Sequence, residues 1–325
     1  MKLKLLLLLM LIPSLSVAQK TTPNISQGPS EVVQLNYKFV PSIKEQIRTG
    51  IFIYGNPVTD KQKMGRPKLR HGNKVVPGKG SKGPDILADA QMRASKIQTR
   101  PPSVVFTATT STSTPSDPTG AAGINYYIGS WNTSWQIFNK DGSVAAGMPN
   151  PASLATLFGE APGDPIVLYD VAANRYILTQ FSSNPNGFHV AISQTSDPIN
   201  SGWHVYSSSD FQTSAFPDYT KFSIWSDAYY VTANISNGNG QVWAIEREKM
   251  LAGNTTASIQ AFFLPGLTTS GFYSPQVFNV TDDNLPSAGN ATIVYMQDDA
   301  WAGINEDHLK LWNLNIDWVT PSNSS

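Results

Sequence analysis

The chain of 325 residues contains no cysteine. That removes disulfides, thiolate metal sites and cysteine nucleophiles together. An exported eukaryotic domain of this size would often carry disulfides, so the absence points to a bacterial exported protein held together by burial alone. Ionisable side chains are scarce as well. Only 14% of residues are Asp, Glu, Lys or Arg, and there are 4 histidines, against about a quarter charged in an ordinary globular domain. The histidines are scattered, with no HExxH or comparable ligand spacing, and no metal site is expected. A nucleophile elbow, a Gly-rich phosphate loop and a dinucleotide fingerprint are missing too. Beyond the first twenty residues no apolar run approaches the ~20 residues that a helix needs to cross a bilayer, so no membrane span is expected.

What is present begins with "MKLKLLLLLMLIPSLSVAQK". Lys2 and Lys4 form a charged start, Leu5 to Ile12 a short apolar stretch, and Ser16-Val17-Ala18 a small-residue cleavage pattern. Residues 1–18 therefore read as a secretory signal peptide. A formal net charge of zero hides an asymmetry. Gln19 to Arg100 holds 15 Lys and Arg against 5 Asp and Glu, whereas Pro101 to Ser325 holds 6 against 18. Such a shift separates a basic, mostly flexible leader and linker over 19–115 from an acidic body over 116–325. "TDKQKMGRPKLRHGNKVVPGKGSKGP" has too few large apolar residues to offset the entropy of ordering it. Since an exported chain meets no nucleic acid, this run reads as solvated. Within the leader, "EVVQLNYKFV" and "TGIFIYG" suit short strands, "PDILADAQMRASKI" a short amphipathic helix, and "TATTSTSTPSDP" a linker.

From about Gly123 the texture changes to short runs rich in Val, Ile, Tyr, Phe, Trp and Thr, bounded by Gly, Pro, Asn, Asp and Ser. These are strand signals, and "NKDGS" at 139–143 is a hairpin turn. "EREKMLAG" is the one convincing helical turn of this half. No strand–helix alternation appears, which disfavours a doubly wound parallel sheet. The strands fall into groups of about four, at roughly 124–160, 164–213, 217–265 and 275–318. That period is the signature of propeller blades. The expectation is an all-β chain: a β-propeller with about four blades visible and its ring incomplete, behind a largely irregular leader. A two-layer sandwich is the competitor, and it needs fewer strands.

Four phrases carry a resemblance: "PSDPTGAAGINYYIGSWNTSWQIFNKDG", "GDPIVLYDVAANRYILTQF", "VAISQTSDPINSGWHVY" and "FPDYTKFSIWSDAYYVTANI". Together, over roughly Pro115 to Pro321, the chain resembles a family of secreted bacterial β-propeller proteins of uncharacterised function. Where that family has a Val-Gly-Pro-Asn-His turn, this chain has Ala122-Gly123-Ile124-Asn125-Tyr126, so the histidine is lost. The resemblance implies further blades beyond "LWNLNIDWVTPSNSS", making this chain the N-terminal portion of such a protein. "GDPIVLYDVAANRYIL" is also similar to the opening strand of arabinanase-like enzymes, which carry a carboxylate there.

Propeller glycosidases gather carboxylates at a central funnel, and a pair ~5 to 9 Å apart suits glycosidic chemistry. Asp164 and Asp218 stand at blade starts and are the catalytic candidates. Each also suits a plain turn role, because Asp beside Pro readily caps a loop. Asp298 and Asp299 follow a strand end and are candidate ligand contacts. So are Trp203 and Trp301, whose Gly, Asp and Ala neighbours suggest exposed loop aromatics able to stack on sugar rings. Glu246 and Glu248 look solvated. His189 and His204 suit neighbouring strands on which they could face each other. No cofactor is expected beyond a Ca²⁺ ion, for which "TDDN" at 281–284 offers oxygen ligands without the full loop pattern. The expected role is binding of a polysaccharide or a surface protein outside the cell or in the periplasm, with a propeller-type glycoside hydrolase or lyase as the alternative.

Overall fold

The computed structural model describes residues 27–55, 93, 101–109, 115–183, 186–207, 216–235, 241–268, 275–299 and 301–325. Its body consists of four antiparallel sheets, each a simple up-and-down run of consecutive strands. The first holds β3 (Pro118–Ala122), β4 (Tyr126–Trp131), β5 (Ser134–Asn139) and β6 (Ala152–Ser153). The second holds β7 (Ile166–Asp170), β8 (Arg175–Ser183), β9 (Asn186–Ser193) and β10 (Trp203–Ser207). The third holds β11 (Asp218–Ile224), β12 (Ala228–Asn234), β13 (Val242–Glu246) and β14 (Ser258–Phe262). The fourth holds β15 (Gln276–Val277), β16 (Ala291–Gln297) and β17 (His308–Leu314). No sheet closes on itself. The four strand groups visible in the sequence are these four sheets.

Strand alternation explains how the sheets pack. Along β8 and β9, Ile177, Val190 and Ile192 point to the third sheet, while Leu178 and Ala191 point to the first. Along β13, Trp243 and Ile245 face the second sheet, while Val242 and Ala244 face the fourth. A strand covered on both faces reads as an unbroken apolar run, and that is why "VWAIE" is buried at every position. Three apolar layers thus lie between four sheets stacked in chain order. Each fully buried Ile, Leu or Phe in them contributes roughly 1.5–3 kcal/mol. The outward face of the fourth sheet differs. There the cross-strand pairs Val294–Leu311 and Met296–Leu309 lie side by side, with Met296, Leu309 and Leu311 exposed.

The strand expected at "EVVQLNYKFV" forms, but as two, whereas "TGIFIYG" contributes only an isolated bridge from Tyr54 to Ala152. β1 (Glu31–Gln34) pairs antiparallel with β14 at the outer edge of the third sheet. One residue later β2 (Asn36–Val40) pairs with β10 at the outer edge of the second. Helix α1 (Ile43–Thr49) follows, started by Ser42, whose hydroxyl accepts from the Glu45 N–H, and stopped by Gly50 in the left-handed conformation. The chain then reaches the outer edge of the first sheet, where Gly55 N donates to Pro151 O and Ser153 N to Ile53 O. The leader therefore covers the outer edges of three sheets in turn, edges that would otherwise invite pairing with other chains. Buried Leu35, Val40, Ile43 and Phe52 hold it there. A composition average over 19–115 hides these residues behind the basic run at 59–84. That run, the signal peptide and nearly all of the helix expected at 84–97 lie outside the described residues. Two short helices complete the body: α2 (Ala155–Phe158) between the first and second sheets, and α3 (Arg247–Leu251) between β13 and β14. Among the described residues no helix is long and apolar enough to cross a membrane.

Candidate functional site

The four sheets share a common orientation. Contacts between them join the ends at which the first strands begin, as where the Phe181 and Phe216 rings meet at 4.3 Å and Thr232 Oγ1 donates to Pro275 O. At the opposite end Tyr176 Oη donates to Tyr126 O at 2.7 Å, and Trp225 Nε1 to Gly289 O at 3.1 Å. The first strands of the four sheets, β3, β7, β11 and β15, therefore all begin at one end of the stack. This is the leading end, and the other is the trailing end.

Three aspartates stand there at equivalent places. Asp117 precedes β3, Asp164 lies just ahead of β7, and Asp218 opens β11. Asp117 and Asp164 take φ of 38° and 53°, and Tyr219, beside Asp218, takes 57°. Positive φ is uncommon outside glycine, though Asp and Asn adopt it several-fold more readily, and Asn132, Asn174 and Asn290 take it as well. Asp218 also has the turn role that its sequence allows. Its Oδ1 accepts from the Tyr219 N–H at 2.9 Å, and the strand register shifts between Asp218 and Lys221. Burial lowers the pKa of Lys221, against the pull of the Asp218 charge. The Lys221 ammonium lies 4.2 Å from the centre of the Tyr219 ring, within cation–π range.

A second group was not legible as a unit in the sequence. Gln180, His189 and Ser207 are cross-strand neighbours on β8, β9 and β10, near the leading end of the second sheet. Strand alternation aims all three at the first sheet. Against them stand Phe158, the last residue of α2, and Glu160 just after it. His189 Nε2 lies 2.7 Å from Glu160 Oε1, and His189 Nδ1 lies 2.6 Å from Ser207 Oγ. Phe158 stacks on the imidazole with a centroid distance of 5.6 Å and an interplanar angle of 23°. Gln180 Nε2 donates to Glu160 O, whereas its buried Oε1 has no hydrogen-bond partner among the described residues. The two histidines expected to face each other do not. His204 pairs in register with Ile192, and its Nδ1 lies 3.1 Å from Tyr37 Oη.

Asp298 and Asp299 also lie at the leading end, in the loop from β16 to β17. Their carboxylates and that of Asp307 come within 4.8 Å of one another, the one group of three or more such side chains this close among the described residues. Asp299 N donates to Asp307 Oδ1 at 2.8 Å. Three carboxylates suit a hard cation but fall short of the six to eight oxygens that Ca²⁺ takes. The exposed Asp282 and Asp283 of "TDDN" stand apart from them; Asp282 accepts from the Asn284 N–H in a local turn. Trp301, in the same loop, is half-buried, with its ring 5.8 Å from that of Tyr295. Trp203 is a correction: it is not an exposed loop aromatic. It opens β10, is 0% exposed, meets Trp135 edge-on at 5.7 Å, and donates from Nε1 to Pro198 O. A cavity of ≈ 310 Å³ lies on the outward face of the first sheet, lined in part by Ala108, Thr119, Tyr127 and Trp131. The buried Trp131 Nε1 has no hydrogen-bond partner among the described residues.

The trailing end carries paired charges. Asp170, fully buried, accepts from Arg247 and from Tyr229 Oη. Burial, and then the Asp170 charge, push the Tyr229 hydroxyl well above its ordinary pKa. Glu246 is not solvated, as its sequence neighbourhood suggested. It is buried at the end of β13, where its carboxylate accepts from Ser258 N and Oγ and pairs with Lys249 at 3.0 Å. The leading end is thus the face on which half-exposed carboxylates recur from sheet to sheet. No family model matches the chain, and no curated protein matches it.

Proposed function

We propose that the chain is an exported β-propeller protein that binds a polysaccharide outside the cell or in the periplasm, at the leading end of its sheets. The observation that carries this reading is the repetition of Asp117, Asp164 and Asp218 at the starts of the first strands of three successive sheets, each at or beside a residue with positive φ. Sheets stacked in chain order through alternating apolar faces support blades around an axis, and the four strand groups support the blade period. The signal-like first eighteen residues support export. An end rich in carboxylates favours a neutral ligand over an anionic one, because like charges disfavour encounter. Asp299 and the half-buried Trp301 add an acceptor and an aromatic face at the same end, while Asp298 is itself buried.

A second reading, a protein partner, is favoured by the exposed Met296, Leu309 and Leu311 on the fourth sheet. The two readings separate on an array of neutral and acidic glycans probed with the mature chain. The polysaccharide reading expects capture by neutral glycans, weakened about tenfold or more by Asp164→Asn or Asp218→Asn, since a hydrogen bond to a charged group contributes ~1.5–3 kcal/mol. Binding that is indifferent to both changes, or no glycan binding at all, would count against it.

A further inference from the structure

The chain Glu160–His189–Ser207 links a carboxylate, an imidazole and a hydroxyl through two short hydrogen bonds; β9, β10 and the segment after α2 supply its members. An ionised carboxylate only accepts, so the proton of neutral His189 sits on Nε2 and points at Glu160. Nδ1 is then the acceptor for the Ser207 O–H. The ring cannot readily turn away, because Phe158 stacks on its face and both nitrogens are engaged. A base oriented by a carboxylate and hydrogen-bonded to a hydroxyl is the arrangement that activates a serine nucleophile, whatever fold carries it.

We propose that Ser207 is a nucleophile with esterase activity towards uncharged carboxylic esters. The carboxylates of the leading end make an anionic substrate unfavourable there, and an ester carbonyl needs no charge to be attacked. Ser207 Oγ attacks the acyl carbon as its proton passes to His189 Nδ1. The acyl C–O bond then breaks, the imidazolium returns that proton to the departing alkoxide, and an acyl-Ser207 ester remains. Water, deprotonated by the same Nδ1, releases the carboxylic acid and restores the serine. His189 and Ser207 are the catalytic residues, and Glu160 is a positioning residue that acts through the imidazole. The activity does not depend on the polysaccharide reading.

The test uses the mature chain, a fluorophosphonate probe, and intact-mass and peptide mapping, with circular dichroism to certify folding. One adduct is expected, on Ser207, absent from Ser207→Ala and formed ~10²–10⁴-fold more slowly by His189→Gln. Glu160→Gln should slow labelling about tenfold or more, and Glu160→Asp should restore most of the rate, a rescue that a purely structural role would not give. p-Nitrophenyl acetate should give a burst of one equivalent per chain. A folded wild-type chain that acquires no adduct on Ser207 overturns the proposal, as does an adduct that persists in Ser207→Ala. The wild-type result decides even where a variant does not fold.

Discussion

Arg247 grips Asp170 with both arms of its guanidinium: Nε lies 2.7 Å from Oδ2 and the terminal nitrogen 3.0 Å from Oδ1. The two residues belong to different sheets, Asp170 ending β7 and Arg247 opening α3 after β13. Tyr229 Oη and the Ala173 N–H complete the shell of the carboxylate. The pair pins the second sheet to the third at the trailing end, where the apolar layer between them runs out.

Removing one partner of a buried ion pair leaves the other charge desolvated, which costs ~3–5 kcal/mol, whereas replacing both with apolar residues is far milder. Asp170→Asn should therefore lower stability by that amount in urea titrations. The double change Asp170→Leu with Arg247→Met should lose much less than the sum of its singles. Additive losses would mean that the pair does not act as a unit.

The leader makes a second prediction. Ile43 on α1 is fully buried in the layer between the first and second sheets. If residues 31–55 were a dispensable tail, trimming this side chain would matter little. Since they cover three sheet edges, Ile43→Ala should cost ~2–5 kcal/mol in chemical denaturation. A cost under 1 kcal/mol, below about half of the smallest such loss, would show that the leader is not part of the cooperative unit.

His204 gives a pH dependence whose sign is fixed. Burial first, and the Arg175 charge second, hold its imidazole below the ordinary histidine pKa. The unfolded chain therefore binds more protons at this residue than the folded one, and stability rises with pH. The contribution is complete above about pH 6.5, the unfolded value, and is lost as pH falls through the lower folded value. Urea midpoints taken between pH 7.5 and 5 should fall for the wild type and fall less for His204→Gln. Parallel curves for the two would assign the loss to other groups.

The body was largely legible because alternation and turn chemistry are local. "VWAIE" and "RYILTQF" announce strands covered on both faces, and the spacing of the groups announces the four sheets. The leader was half legible. "EVVQLNYKFV" reads as one strand, yet Leu35 divides it between two sheets, a change of partner that no local pattern encodes. Trp203 misled because a glycine in front of an aromatic suggests a loop, whereas Gly202 is the last residue before a buried strand. Gly202 N also donates to Gln194 Oε1, which fixes that corner. Glu160, His189 and Ser207 stand 29 and 18 positions apart and meet only through strand register. A charged residue just after a short apolar helical turn, such as Glu160 after "LATLF", was the one available hint.

Hydrogen–deuterium exchange of the protein, alone and with the tightest binder from the glycan array, tests the central claim most directly. Binding at the leading end predicts slowed exchange at 131–134, 160–164, 216–219 and 297–307, drawn from all four sheets at once. Protection confined to the opposite turns, at 140–143, 171–174, 226–228 and 252–257, would contradict it.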